Sequence, residues 1–103
     1  SRLTRDDVSN GALKFRDIRR MVVADVPVIL TRVSFSGELG YEIVVDASRA
    51  VATWEAILAA GGAYGLREAG FEAADSLRLE CGHILFLREL ARPRVPAELG
   101  LAA

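Results

Sequence analysis

The chain's single cysteine and single histidine stand two residues apart, at Cys81 and His83. A thiol and an imidazole are metal ligands, and they are also the parts of a nucleophile–base pair. A closed zinc site needs four ligands and a catalytic one three, so Cys-x-His alone is short of both. Adjacency in sequence also does not create the facing geometry of a nucleophilic pair. His83 therefore reads as a helix-end or partner-facing histidine. Glu38 and Glu42 raise the question of paired-carboxylate chemistry. Hydrolytic pairs face each other across a cleft, whereas two acids on one hairpin read as a solvated edge. The pattern Gly37-x-x-Gly40 lacks the Lys-Ser/Thr frame of a phosphate loop and leads into a strand, not a helix, which argues against a nucleotide cradle. Asp75 and Arg78 stand at i and i+3 on a helical segment, where opposite charges pair.

The elements that must position these groups follow from periodicity. Thr4-Arg5-Asp6-Asp7 carries a capping-type pattern and predicts a short helical start. Asn10-Gly11 is a turn signal. Met21–Ala24, Val28–Phe35 and Gly40–Val45 read as three strands, with Asp25-Val26-Pro27 and the glycine-bearing Ser36–Gly40 as connections. In the third strand the period of two places Tyr41, Ile43 and Val45 on the core face and Glu42 and Val44 on the other. Residues 46–62 predict a helix capped by Asp46 or Ser48, with Val51, Trp54, Ile57 and Leu58 as a stripe facing the core. Residues 70–81 predict a second helix, with Phe71, Ala74, Leu77 and Cys81 on one side. Ile84–Leu87 is a short apolar run, strand or buried extension. Pro93 and Pro96 argue against regular structure beyond it. Sequential hairpin strands followed by a block of helices predict an α+β class, with an antiparallel sheet and helices on one face.

At 103 residues the chain has the length of one small domain, and we take 1–103 as a single unit. Its composition, 51% hydrophobic and 26% charged, is globular and not that of a disordered chain. Thirteen basic against fourteen acidic side chains give a net charge of -1, which offers no general attraction to nucleic acid or anionic lipid. No apolar run approaches a membrane span. A lone cysteine excludes an internal disulfide framework and makes a cytoplasmic location the expectation. By their own types and spacing, then, the residues give an α+β domain with one conspicuous loop and no self-contained active site.

Two long segments resemble one family in order. Arg32-Val33-Ser34-Phe35-Ser36-Gly37-Glu38-Leu39-Gly40-Tyr41-Glu42 is similar to the R-x-S-x-x-G-E-x-G-Y-E signature of the glycine cleavage T-protein (aminomethyltransferase) family. Ala73-Ala74-Asp75-Ser76-Leu77-Arg78-Leu79-Glu80-Cys81-Gly82 resembles its A-R-D-S-L-R-L-E-x-G segment. Trp54–Leu58, Glu89-Leu90 and Pro96–Leu101 follow at the family's spacing, and the likeness covers nearly the whole chain. The family includes the folate-binding portions of dimethylglycine and sarcosine dehydrogenases.

The resemblance implies a ferredoxin-like α+β middle region forming one wall of a tetrahydrofolate site. Glu42, the glutamate closing G-Y-E, maps onto a family folate ligand. A carboxylate can accept the amino group and the adjacent ring N–H of a pterin together. Tyr41 beside it and Arg78 complete the implied cofactor-binding set, and pairing with a nearby carboxylate is the local role expected of Arg78. Ala74 departs from the family, which has a folate-binding arginine there. The family's catalytic aspartate falls upstream and a further folate arginine downstream, so the resemblance implies a fragment of a longer protein, inactive alone. Its expected partners are tetrahydrofolate and the flanking domains. Exposed Ile84–Leu87 is the expected patch for self-association. The implied activity is transfer of a one-carbon unit from an amine donor to tetrahydrofolate. The alternatives are the folate region of a flavin-dependent dimethylglycine- or sarcosine-type demethylase, or a non-catalytic folate-binding module.

Overall fold

A computed structural model describes residues 3–101. The chain is an α+β protein built around a three-stranded antiparallel sheet in the order β1-β2-β3, with helices after the strands. It divides into two compact units. One holds residues 1–34 and 38–69, and the other holds 35–37 and 70–103.

In the first unit β1 spans Ile18–Val23, β2 Val26–Thr31 and β3 Glu42–Val45. β1 and β2 form a hairpin whose closing pair is Val23 opposite Val26. The turn is thus Ala24-Asp25, one residue earlier than the sequence suggested. Both residues hold positive φ, +51° and +61°, the backbone of a primed two-residue turn that matches strand twist. Alternation sets the faces. Met21, Val23, Val26, Val28 and Leu30 are buried on one side, and Ile43 and Val45 pack against them. Ile18, Val22, Ile29 and Val44 are exposed on the other.

The N-terminal segment packs on the aliphatic face. Leu13 is fully buried against it, with Leu3, Val8 and Ala24 at its margin. The expected helix at Thr4–Asp7 does not form. The Thr4 hydroxyl accepts from the Asp6 amide and Asp7 from the Ser9 amide, local bonds that compete with helical ones. At Asn10-Gly11 the chain does turn, and the Leu13 amide donates to the Ser9 carbonyl at 2.9 Å. That turn drops Leu13 into the core.

Asp46 caps the next element as expected. Its carboxylate accepts from the Ser48 amide at 2.8 Å, a 3-10 turn follows at Ala47–Arg49, and helix α1 runs Ala50–Gly61. The expected core stripe does not hold. Val51 is 70% and Trp54 52% exposed, Ile57 and Leu58 are half-buried, and the one buried residue of α1 is Thr53. Helical spacing identifies an apolar face without saying what covers it. Here Leu3, Val8 and Leu13 already fill the space against the sheet.

In the second unit α2 spans Phe71–Glu80 and α3 the single turn Phe86–Glu89. Gly82 takes the left-handed conformation that stops α2, with φ +70°. The run Ile84–Leu87, expected as a strand or buried extension, instead enters α3 and leaves Phe86 and Leu87 exposed. Phe71 and Leu77 of α2 are exposed as well. Pro96 opens a 3-10 turn ending at Leu99, the only regular element near the prolines among the described residues. Among those residues no helix is long and apolar enough to cross a membrane.

Candidate functional site

Glu42 opens β3 opposite Thr31, which in turn faces Ile18 across β2 and β1. Its neighbour Ile43 packs on the core, so the strand's alternation sends the Glu42 side chain to the open face. The carboxylate is exposed and has no hydrogen-bond or ion-pair partner among the described residues. Two shallow hollows mark this unit, one beside Leu3–Asp6 and one beside Arg20, Ile29 and Val44. Neither is lined by Glu42, which stands on open surface.

Tyr41 precedes the ladder, so strand alternation does not bury it. It is 37% exposed, and its hydroxyl donates to the Val8 carbonyl at 2.7 Å. This bond ties the start of β3 to the N-terminal segment. Arg32, the arginine of the first signature, works on the same segment and donates to the Leu13 carbonyl at 2.7 Å. The glycines of the signature have separate steric reasons. A Cβ on Gly40 would stand 2.8 Å from the Val33 carbonyl oxygen. Gly37 has φ +82°, and a Cβ there would meet the Cys81 sulfur at 2.3 Å. Of these two glycines only Gly37 takes a positive φ.

Arg78 lies in the other unit, 2% exposed. Nε donates to Asp75 at 2.6 Å, and Nη1 donates to Glu89 at 2.7 Å and to the His83 carbonyl at 3.1 Å. The i, i+3 pair expected from sequence is therefore present, enlarged by a second acid. Glu89 also accepts from the Leu85 amide at 2.6 Å. The Arg78 hydrogen bond holds the Glu89 carboxyl below the ordinary glutamate range, and Glu89, then Asp75, raise the guanidinium pKa in return. Nothing in the sequence marked Glu89 for this role, because a separation of eleven residues across a turn has no period. Ala74, where the resemblance led to an arginine, is half-buried on α2 beside Asp75.

Cys81 and His83 both turn back to the signature loop. The thiol donates to the Ser36 carbonyl at 3.1 Å, and His83 Nδ1 lies 3.1 Å from the Phe35 carbonyl, which makes that nitrogen the protonated one. Among the described residues no group of three His, Cys, Asp or Glu side chains is placed to hold a metal ion. Of the three residues implied for cofactor binding, then, Tyr41 and Glu42 stand together at the start of β3. Arg78 belongs to a buried ion-pair network.

The chain is 41% identical over 101 residues to an aminomethyltransferase of Caldanaerobacter subterraneus, covering 97% of this chain and 26% of that protein. It is 36% identical over 94 residues to an aminomethyltransferase of Halothermothrix orenii, covering 91% and 26%. The mitochondrial sarcosine dehydrogenase of Homo sapiens is 38% identical over 96 residues, covering 93% of this chain and 10% of the enzyme. The chain thus spans about a quarter of the length of the aminomethyltransferases it matches. The family model described as the GCVT N-terminal domain matches residues 1–103, and the chain belongs to that family, the one that holds the glycine cleavage T-protein and its relatives.

Proposed function

We propose that this chain is the folate-recognising part of an aminomethyltransferase that passes a one-carbon unit from an amine donor to tetrahydrofolate. The observation that carries this is Glu42, a carboxylate held by a strand ladder, turned to the open face and without a partner among the described residues. Such a group can accept the amino group and ring N–H of a reduced pterin at little further ordering cost. Tyr41 fixes the start of the strand through Val8, and its half-exposed ring flanks the pterin. Arg78 acts at one remove, by holding α2 to α3.

The chemical step needs a group that handles the proton as the amine leaves. We assign that role to no residue of this chain and place it in further regions of a longer protein. The exposed apolar side chains Val51, Trp54, Phe86 and Leu87 support such neighbours, or self-association when the chain stands alone.

Calorimetric titration of tetrahydrofolate into the protein and into Glu42→Gln tests the reading. Glu42→Gln keeps shape and loses charge, so affinity should fall roughly thirtyfold or more. Equal affinities would overturn the assignment.

A further inference from the structure

We propose that the open face of the sheet extends the folate site beyond the pterin, with Arg20 as the ligand of the glutamate tail and Ile29 and Val44 as the floor under the benzoyl ring. This tail site rests on the folate reading above and concerns the part of the ligand that Glu42 does not touch. All four residues belong to the first unit, and strand register puts them on one surface. Arg20 stands opposite Ile29, and Ile29 opposite Val44. Glu42 lies two residues before Val44, on the same side of β3. Strands about 4.8 Å apart and a rise of about 3.4 Å per residue set the Glu42 and Arg20 backbones roughly 12 Å from one another.

Three kinds of surface follow along that line. A carboxylate stands at one end and a guanidinium at the other. Between them is a hollow of about 400 Å³, lined by Arg20 itself and by Pro27, Ile29 and Val44. Neither charge is used inside the protein. Glu42 and Arg20 are both exposed, and neither has a hydrogen-bond or ion-pair partner among the described residues. The arginines nearby are employed differently. Arg19 donates to the Ala12 carbonyl and Arg32 to the Leu13 carbonyl, which ties the N-terminal segment down. Strand alternation divides Arg19 from Arg20, so one cation holds the fold and the next is left on the open face. Asp46 also lines the hollow, but it lies beyond Val44 at the far end of β3, and its carboxylate accepts from the Ser48 amide and hydroxyl.

A reduced folate carries the complementary chemistry in the same order: a pterin edge that donates hydrogen bonds, an aromatic ring, and a glutamate with two carboxylates. With the pterin on Glu42, the ring covers Val44 and Ile29, and the tail comes within reach of the Arg20 guanidinium. The planar fork of that group suits a carboxylate, to which it donates two parallel hydrogen bonds. The reverse orientation would set the tail carboxylates against Glu42, so the two charges also fix the direction in which the ligand lies.

Calorimetric titration with three probes tests this. Tetrahydrofolate has head and tail, 6-methyltetrahydropterin the head alone, and p-aminobenzoylglutamate the tail alone. Each is titrated into wild type, Arg20→Gln and Glu42→Gln. Arg20→Gln should weaken tetrahydrofolate and p-aminobenzoylglutamate by roughly fivefold or more and leave the tetrahydropterin unchanged. Equal affinities of wild type and Arg20→Gln for both tail-bearing probes would overturn the proposal. So would an equal loss for the tetrahydropterin, the mark of a damaged sheet. An effect of Arg20→Gln confined to self-association would overturn it too, because a second copy would then be what covers this face. Glu42→Gln separates the two readings. If it weakens tetrahydrofolate and the tetrahydropterin while Arg20→Gln changes neither tail-bearing probe, the folate reading stands and the tail site falls. If Glu42→Gln changes nothing, the pterin contact falls, and p-aminobenzoylglutamate still decides whether Arg20 holds an anionic tail.

Discussion

The two units are held together by opposite means. In the first, five alternating aliphatic side chains of β1 and β2 close over Leu13, and no charge is buried among them. In the second, the only buried side chain among the described residues is an arginine, with Phe71, Leu77, Phe86 and Leu87 all exposed around it. An aliphatic core is insensitive to pH and loses stability by the methylene. A hub built on one guanidinium has a single point of failure and depends on the ionisation of its acids. One short chain thus combines a sheet closed over aliphatic side chains with a helical segment tied together by a buried arginine.

The largest effect should come from the sheet. Leu13→Ala removes the one fully buried large side chain among the described residues and should cost about 2–5 kcal/mol, read from the urea midpoint. A shift equivalent to under about 1 kcal/mol would mean that the N-terminal segment is not the sheet's cover.

Arg78→Met sharpens the contrast. It keeps most of the volume but leaves Glu89 without its cation and Asp75 with only the exposed Arg88, at 3.7 Å. Amide protection in α2 and α3 should drop roughly tenfold or more while β1 and β2 keep theirs. Equal loss in both units would show that they stand or fall together.

Acid should separate them more gently. The Glu89 carboxyl titrates below its unfolded value because of Arg78, so its contribution is complete above the ordinary glutamate range and fades as pH falls through the lowered value. Asp7 and Asp46 in the first unit are lowered too, Asp7 mainly by the Ser9 amide and Asp46 by the Ser48 hydroxyl and amide, but these are exposed caps beside an intact core. In a titration from neutral to acid pH, the amides of α2 and α3 should lose protection before those of the sheet. Simultaneous loss would contradict the division.

The smallest effect belongs to Trp54. Half exposed, with its indole N–H on Glu68 at 3.2 Å, it should cost about 1 kcal/mol or less on truncation to alanine. A cost of about 3–5 kcal/mol would restore Trp54 to a core.

The period of two made the faces of β3 legible, and with them the outward direction of Glu42 and the inward one of Ile43 and Val45. The N-terminal cover was not legible, because Leu3, Val8 and Leu13 recur every five residues, a spacing that belongs to neither helix nor strand. Their presence on the sheet is also why the stripe of α1 was assigned to the wrong place. The turn at Ala24-Asp25 was displaced because alanine gives no signal of positive φ. In the site, the Asp75–Arg78 pair followed from helical spacing. Glu89 and the seating of Gly37 on Cys81 are contacts between segments distant in sequence, set by tertiary packing alone. Tyr41 was misplaced by one boundary, since the ladder begins only at Glu42.

Folate recognition, as proposed, rests on a two-point contact between Glu42 and the pterin edge. It is tested most directly by a cycle of two proteins and two ligands, wild type and Glu42→Gln, each titrated with tetrahydrofolate and with an analogue lacking the 2-amino group. Wild type should prefer tetrahydrofolate by roughly tenfold or more, a preference that Glu42→Gln loses and that Glu38→Gln, a change in the solvated loop, retains. The same preference in wild type and Glu42→Gln would contradict the account.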